Sequence, residues 1–237
     1  MSFPTVTETG GSSAAATSHD ITLPSAAIGD LLIVFVGNRT ATYPTHTWTF
    51  DASTTAYTEL YQASGPFTNS SRSVCKYRIV RAGDSNIGAT GTLTIGLSLS
   101  RAIEYSVLLI PAATWHGSTP PESVFSTGPS VPGATTFNPG TLTPSWGAGD
   151  TLWLVQAISY SGIATEPTNY TAFTARPMRT AWRQRNAASE DPGNYTYIAN
   201  TYWTGGTVGV RWNDATGIIG TPVFRRLLAA RRRVLVP

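Results

Sequence analysis

Two stretches of this chain repeat one phrase. The first reads Leu23-Pro24-Ser25, then Gly29-Asp30, then the apolar run Leu31-Leu32-Ile33-Val34-Phe35-Val36. The second reads Thr143-Pro144-Ser145, then Gly149-Asp150, then Thr151-Leu152-Trp153-Leu154-Val155. The prolines and the aspartates both stand 120 positions apart (144 − 24, 150 − 30). Short apolar runs bounded by turn residues, written twice, predict a β-structure with two related halves. Leu31–Val36 is apolar at every position, which predicts a strand covered on both faces.

Working outward, period-two alternation marks further strands. It is plain in Ser73-Val74-Cys75-Lys76-Tyr77-Arg78-Ile79 and in Thr92-Leu93-Thr94-Ile95-Gly96-Leu97. The first half, 19–111, then holds candidate strands at 19–24, 30–37, 47–50, 57–63, 73–80, 92–97 and 103–110. The second half, 126–212, holds them at 136–143, 151–159, 170–175, 179–185, 195–202 and 207–212. The residues Thr204-Gly205-Gly206, Trp146-Gly147-Ala148-Gly149-Asp150 and Glu190-Asp191-Pro192-Gly193 read as turns. The turn Ala82-Gly83-Asp84 holds the place in half one that 189–193 holds in half two.

Residues 1–18, rich in Ser, Thr, Gly and Ala, read as an extended N-terminal arm. Residues 112–125 read as an irregular connection containing Pro120-Pro121. No helical apolar period precedes residue 224. The expected fold is all-β: a two-sheet sandwich of jelly-roll type over 19–224, with one sandwich shared by both halves preferred to one in each.

Composition narrows the function. Charged residues are only 12% of the 237, while aromatics reach 11% with 7 Trp, enough to build a core. The formal charge of +3 comes from the tail, where Arg225, Arg226, Arg231, Arg232 and Arg233 cluster. Three readings of residues 225–237 stand open: a last strand, a docking peptide for an acidic partner, or a salt-sensitive phosphate contact. The docking reading makes those five arginines the candidate partner site, with nucleic acid the least favoured partner. A lone Cys75 excludes an internal disulfide. The N-terminus lacks the pattern of a signal peptide, and no apolar run is long enough to cross a membrane.

The search for chemistry returns little. His19, His46 and His116 lie far apart with no spaced partner, short of the ligands a zinc site needs. No nucleophile elbow or phosphate loop is present, and the sole lysine, Lys76, sits inside a strand pattern. The pair Glu190-Asp191 fits a turn better than a glycosidase dyad. The expectation is therefore no enzyme, no cofactor and no metal. Trp115 and Trp146 fall in loop contexts and are the candidates for contact with a glycan or a partner.

These motifs resemble virion structural proteins of tailed bacteriophages, a family of minor tail and capsid-associated proteins. The resemblance is carried by the two repeated phrases, by Tyr77-Arg78-Ile79-Val80, and by Arg185-Asn186-Ala187-Ala188-Ser189-Glu190-Asp191-Pro192-Gly193. It spans roughly 15–212 and departs at the Arg-rich tail. It implies a non-enzymatic virion protein on the particle surface, assembled in the host cytoplasm and released by lysis. Capsid decoration leads; a tail or baseplate protein binding a host surface glycan is the alternative, and a glycan-degrading enzyme is a remote third. The implied partners are capsid or tail subunits and other copies of the chain, in a homo-oligomer.

Overall fold

The computed structural model describes residues 3–39, 44–50, 57–64, 71–128, 135–159, 163–173, 178–197 and 202–213. Within them the chain is all-β. The strands of the first half are β1 (Thr7–Leu23), β2 (Leu31–Arg39), β3 (His46–Phe50), β4 (Thr58–Ser64), β5 (Ser71–Ile79) and β6 (Gly91–Ile110). Those of the second are β7 (Glu122–Thr127), β8 (Thr136–Phe137), β9 (Gly149–Ser159), β10 (Ile163–Thr165), β11 (Thr171–Ala172), β12 (Met178–Ala187), β13 (Tyr195–Tyr197) and β14 (Trp203–Arg211). Every ladder between them is antiparallel.

The two halves are wound identically. Sheet order in half one is β1-β6-β2-β5-β4, with β3 also on β6. Sheet order in half two is β7-β14-β9-β12-β11, with a smaller sheet β8-β13-β10. β1 and β6 are long enough to serve two sheets. The ladder between them shifts register from Ser13 to Ser18. On one side of that kink, residues 104–110 of β6 pair with β2; on the other, residues 93–97 pair with β3. Leu93 and Ile95 then share a core with Leu32 and Val34, to which they are not paired, so this part of the ribbon lies over the β2 sheet. Counting β1 and β6 as two segments each, segments one, eight, three, six and five form one sheet. Segments two, seven and four form the other. That is a jelly roll, and β7 to β14 repeat it strand for strand.

The two jelly rolls pack through their larger sheets. Leu31, Ile33 and Phe35 of β2 meet Leu152, Leu154 and Ile158 of β9, with Val208 and Val210, in one core. The alternate residues Leu32, Val34 and Val36 face the small layer of half one. On β9, Val155 and Ala157 do the same against Phe137, Tyr195 and Tyr197. β2 is thus covered on both faces, as its unbroken apolar run requires. Each such fully buried side chain contributes roughly 1.5–3 kcal/mol.

Several sequence expectations need correction. The single sandwich shared by both halves is replaced by one in each, because every ladder joins strands of the same half. The N-terminal arm is a strand from Thr7 onward, paired with β6 as far as Leu109. Its polar composition hid it, because an edge partner needs only backbone hydrogen bonds and one tolerable face. Pro4 goes on to contact the second jelly roll, where the Gln184 amide of β12 donates to its carbonyl (2.9 Å), and Thr5 N–H donates to Thr114 Oγ1 (3.3 Å) in the connection between the halves. Residues 122–125, placed in an irregular connection, belong to β7. The segments 92–97 and 103–110 belong to one kinked strand. Gly205-Gly206 is no turn but the middle of β14. A Cβ on Gly206 would lie 2.6 Å from the Val124 carbonyl oxygen of β7 and 2.7 Å from the Tyr61 ring of the other jelly roll, so glycine there lets both come close.

Candidate functional site

The sequence-named residues do not converge. Arg225, Arg226, Arg231, Arg232 and Arg233 lie outside the described residues. Trp115 is 1% exposed, packs in the core between the jelly rolls, and donates its indole N–H to the Gly29 carbonyl (3.1 Å). Its backbone forms a bridge with Trp212. It is therefore no surface contact: a loop by sequence, it is pinned inward by that pairing. Trp146 is half-buried, with one ring edge against Gly209, and it offers a partner only a fraction of its surface.

Two matching clusters of buried ionisable groups stand out, one in each half. In half one, Arg78 on β5 donates from Nε to Asp84 Oδ2 (3.1 Å) and pairs through Nη2 with Oδ1. Its guanidinium lies over Phe50 at 4.3 Å and Tyr57 at 6.0 Å. In half two, Arg183 on β12 pairs with Glu190, which is fully buried, and stacks over Tyr170 at 4.9 Å. The Tyr170 hydroxyl donates to Glu190 Oε1 (2.8 Å), and Arg185 stands 3.7 Å from Oε2. Burial and the neighbouring Glu190 carboxylate hold the Tyr170 phenol far above its ordinary pKa. Glu190 also exchanges backbone hydrogen bonds with Leu142. These carboxylates anchor turns, and both are closed off by their own arginine and aromatic partners.

A polar seam crosses the core between the jelly rolls. The Tyr61 hydroxyl (2.8 Å) and Ser73 Oγ (2.6 Å) both donate to Gln156 Oε1. Ser71 Oγ donates to the Ile158 carbonyl at 3.0 Å. Burial pushes the Tyr61 phenol and the adjacent Cys75 thiol well up, so Cys75 stays a protonated, inert hydrophobe. His46 lies apart, on β3. Burial, with Arg72, Lys76 and His19 nearby, lowers its pKa to about 4, and neither ring nitrogen meets a hydrogen-bond partner. Among the described residues no three His, Cys, Asp or Glu side chains are placed to hold a metal, and no helix is long and apolar enough to cross a membrane.

One concave surface stands out, and the sequence reading placed no binding residue in it. A cleft of about 720 Å³ opens at the end of the β1-β6-β2 ribbon. Register places it there: Ser12 lies opposite Glu104 and Ser13 opposite Ile103, while Gly37 of β2 lies opposite Glu104 from the other side. Ala14, Asn38, Arg39 and Ala102 complete its wall. Arg39 Nη2 meets Glu104 Oε1 at 3.0 Å, and Glu104 also accepts the Met178 N–H from β12. Asn38 is 1% exposed, yet neither Nδ2 nor Oδ1 has a hydrogen-bond partner. The sequence signal for this cleft was faint: a Gly-Asn-Arg run closing an otherwise apolar strand.

No protein-family model matches the chain. No curated protein sequence matches it. A solved structure, that of the STIV major capsid protein, aligns over 89% of this chain and 96% of its own, at 12% identity and a TM-score of 0.26. A likeness at that score carries no argument, and the jelly-roll topology rests on the strand pairing alone.

Proposed function

We propose that this chain is a non-enzymatic structural protein of a tailed-bacteriophage virion, displayed on the particle surface, and that it decorates the capsid. The observation that supports this best is the duplicated jelly roll, whose buried carboxylates Asp84 and Glu190 are each committed to an arginine of their own half. Jelly rolls recur in capsid and lectin domains, a fold-level analogy that favours shell or binding roles over chemistry. The partners on this reading are capsid subunits and further copies of the chain, and the location is the virion.

Copy number tests it. Decoration expects hundreds of chains per purified particle, whereas a handful would point to a tail-tip or baseplate position and overturn decoration. Absence from the particle would overturn the virion reading altogether. Deleting residues 225–237 tests the docking role of the arginine tail, since incorporation at the parental level would exclude it. The glycan-binding tail reading loses Trp115. A glycan-degrading activity requires a free acid, and Glu190 is enclosed. Release of reducing sugar that vanishes in Glu190→Gln would reverse that judgement.

A further inference from the structure

We infer that two copies of this chain join through β7, paired antiparallel edge to edge about a two-fold axis at Phe125. A strand at a sheet edge leaves backbone N–H and C=O groups unpaired, and folds guard such edges with short strands, bulges or charges. The larger sheets end in β1 and β4 in half one and in β11 and β7 in half two. β11 has only 2 residues, and β4 shifts register between Glu59 and Tyr61. β1 is broken by its own register shifts and carries Gly10-Gly11, which weakens a strand. β7 has none of these guards. It pairs with β14 from Glu122 to Thr127 without a register shift, and among the described residues no strand pairs with its outer edge. Residues 123–127 carry no charge.

The side chains select the partner. Val124 and Ser126 face Gly140, while Ser123 and Phe125 face half one. There Ser123 Oγ donates to the Leu60 carbonyl (2.9 Å), and Phe125 stacks on Tyr61 with ring centroids 6.3 Å apart. Phe125 is still 51% exposed, the one aromatic ring so open among the described residues. In an antiparallel pair, residues directly opposite each other share a face. A two-fold axis perpendicular to the sheet therefore passes through a residue and not between two. At Phe125 it sets Phe125 against Phe125 of the second copy, Val124 against Ser126, and Ser123 against Thr127. The two exposed rings then cover each other, each with a Tyr61 behind it, and aromatic cross-strand pairs strengthen a sheet. Charge agrees with this register. The Glu122 carboxylate accepts the Ser145 N–H (2.9 Å) and falls opposite Gly128 of the second copy, clear of its own counterpart. A charged partner would find no counter-charge on residues 123–127. The inference rests on the strand alone and does not depend on the virion reading.

Sedimentation velocity on the full chain tests it, at concentrations from micromolar to submillimolar. A dimer that grows with concentration is expected. Phe125→Lys sets two like charges opposite each other and is expected to weaken that dimer at least about tenfold. Thr127→Lys, a charge on the exposed end of the same edge, is expected to act in the same direction and decides the matter if Phe125→Lys does not fold. Leu99→Lys, exposed on β6, is the control and is expected to leave the dimer intact. A chain that stays monomeric throughout overturns the inference and leaves the virion reading, which copy number tests, as it was. A dimer undiminished in a folded Phe125→Lys or Thr127→Lys chain uses another surface and also overturns it, as does an equal loss in Leu99→Lys.

Discussion

Arg78 and Arg183 hold equivalent positions in the two jelly rolls. Arg78 lies cross-strand from Leu32 on β2, and Arg183 lies cross-strand from Trp153 on β9. Each points to the outer side of its sheet, each pairs with a carboxylate in the turn that follows, and each stacks on a tyrosine just before the edge strand. Their partners Leu32 and Trp153 stand 121 positions apart (153 − 32), one more than the prolines and aspartates of the repeated phrase, so the triads match by place in the fold and not by that fixed offset.

The triads set the first prediction. Removing one member of a buried ion pair leaves its partner desolvated and unpaired, at a cost of about 3–5 kcal/mol. Arg78→Met is expected to destabilise by that amount in urea unfolding. The double variant Arg78→Met with Asp84→Leu is expected to lose less than Arg78→Met alone, because no orphan charge remains. Arg183→Met is expected to behave as Arg78→Met does. If Arg78→Met unfolds at the parental midpoint, the pair is not a structural anchor.

The two loop tryptophans should separate cleanly. Trp115 is enclosed between the jelly rolls, and truncation of so large a core group to Ala costs about 3–5 kcal/mol. Trp146 is half-buried and should lose less than half as much on truncation. Equal losses in denaturant titrations would contradict this placement.

These cases show what the residues disclosed and what they withheld. The unbroken apolar run of β2 announced a strand between two layers, and it is one. The alternation around Cys75 announced β5. The strands β1 and β7 stayed hidden because Thr7–Ser18 and Glu122–Thr127 carry few apolar residues, and edge strands are held by their backbones. The Arg78 and Arg183 triads were hidden for another reason. Their carboxylates follow at six and seven residues respectively, so no fixed spacing marks them, and the matching tyrosines come from a different part of the chain. The Asn38 cleft joins three strands far apart in sequence, and only their register brings its wall together.

Acid should weaken the fold through His46. Its pKa falls from 6.5 in the free chain to about 4 in the fold, so the unfolded chain binds the proton more tightly. The neutral ring's contribution is full above pH 6.5 and is lost as pH drops towards 4, with nothing left to lose below that. The whole step is on the order of 3 kcal/mol. Carboxylates also titrate on the acid side, so the comparison is with His46→Gln, whose stability should fall less between pH 7 and pH 4. Parallel pH profiles for the two chains would rule the effect out.

The N-terminal segment is expected to clamp the two jelly rolls. Deleting residues 1–6 removes the Pro4–Gln184 and Thr5–Thr114 hydrogen bonds and the packing of Val6 on the shared core. The loss should be about 2 kcal/mol, read as a lower melting temperature. An unchanged transition would show that the clamp contributes nothing.

Cys75 offers a probe of the shared core without any mutation. It is fully buried on β5, between the layers and against Tyr61, and burial keeps its thiol protonated. A disulfide reagent attacks the thiolate and needs access to sulfur, so labelling must wait for the jelly rolls to open. With an opening free energy of several kcal/mol, the native chain should react with Ellman's reagent at least about a thousandfold more slowly than the chain in guanidinium. Triad and core variants that lower stability should speed the reaction in proportion. Rapid labelling of the native parent would mean that the two sheets part easily, and that the contact between the jelly rolls is not the core assigned to it.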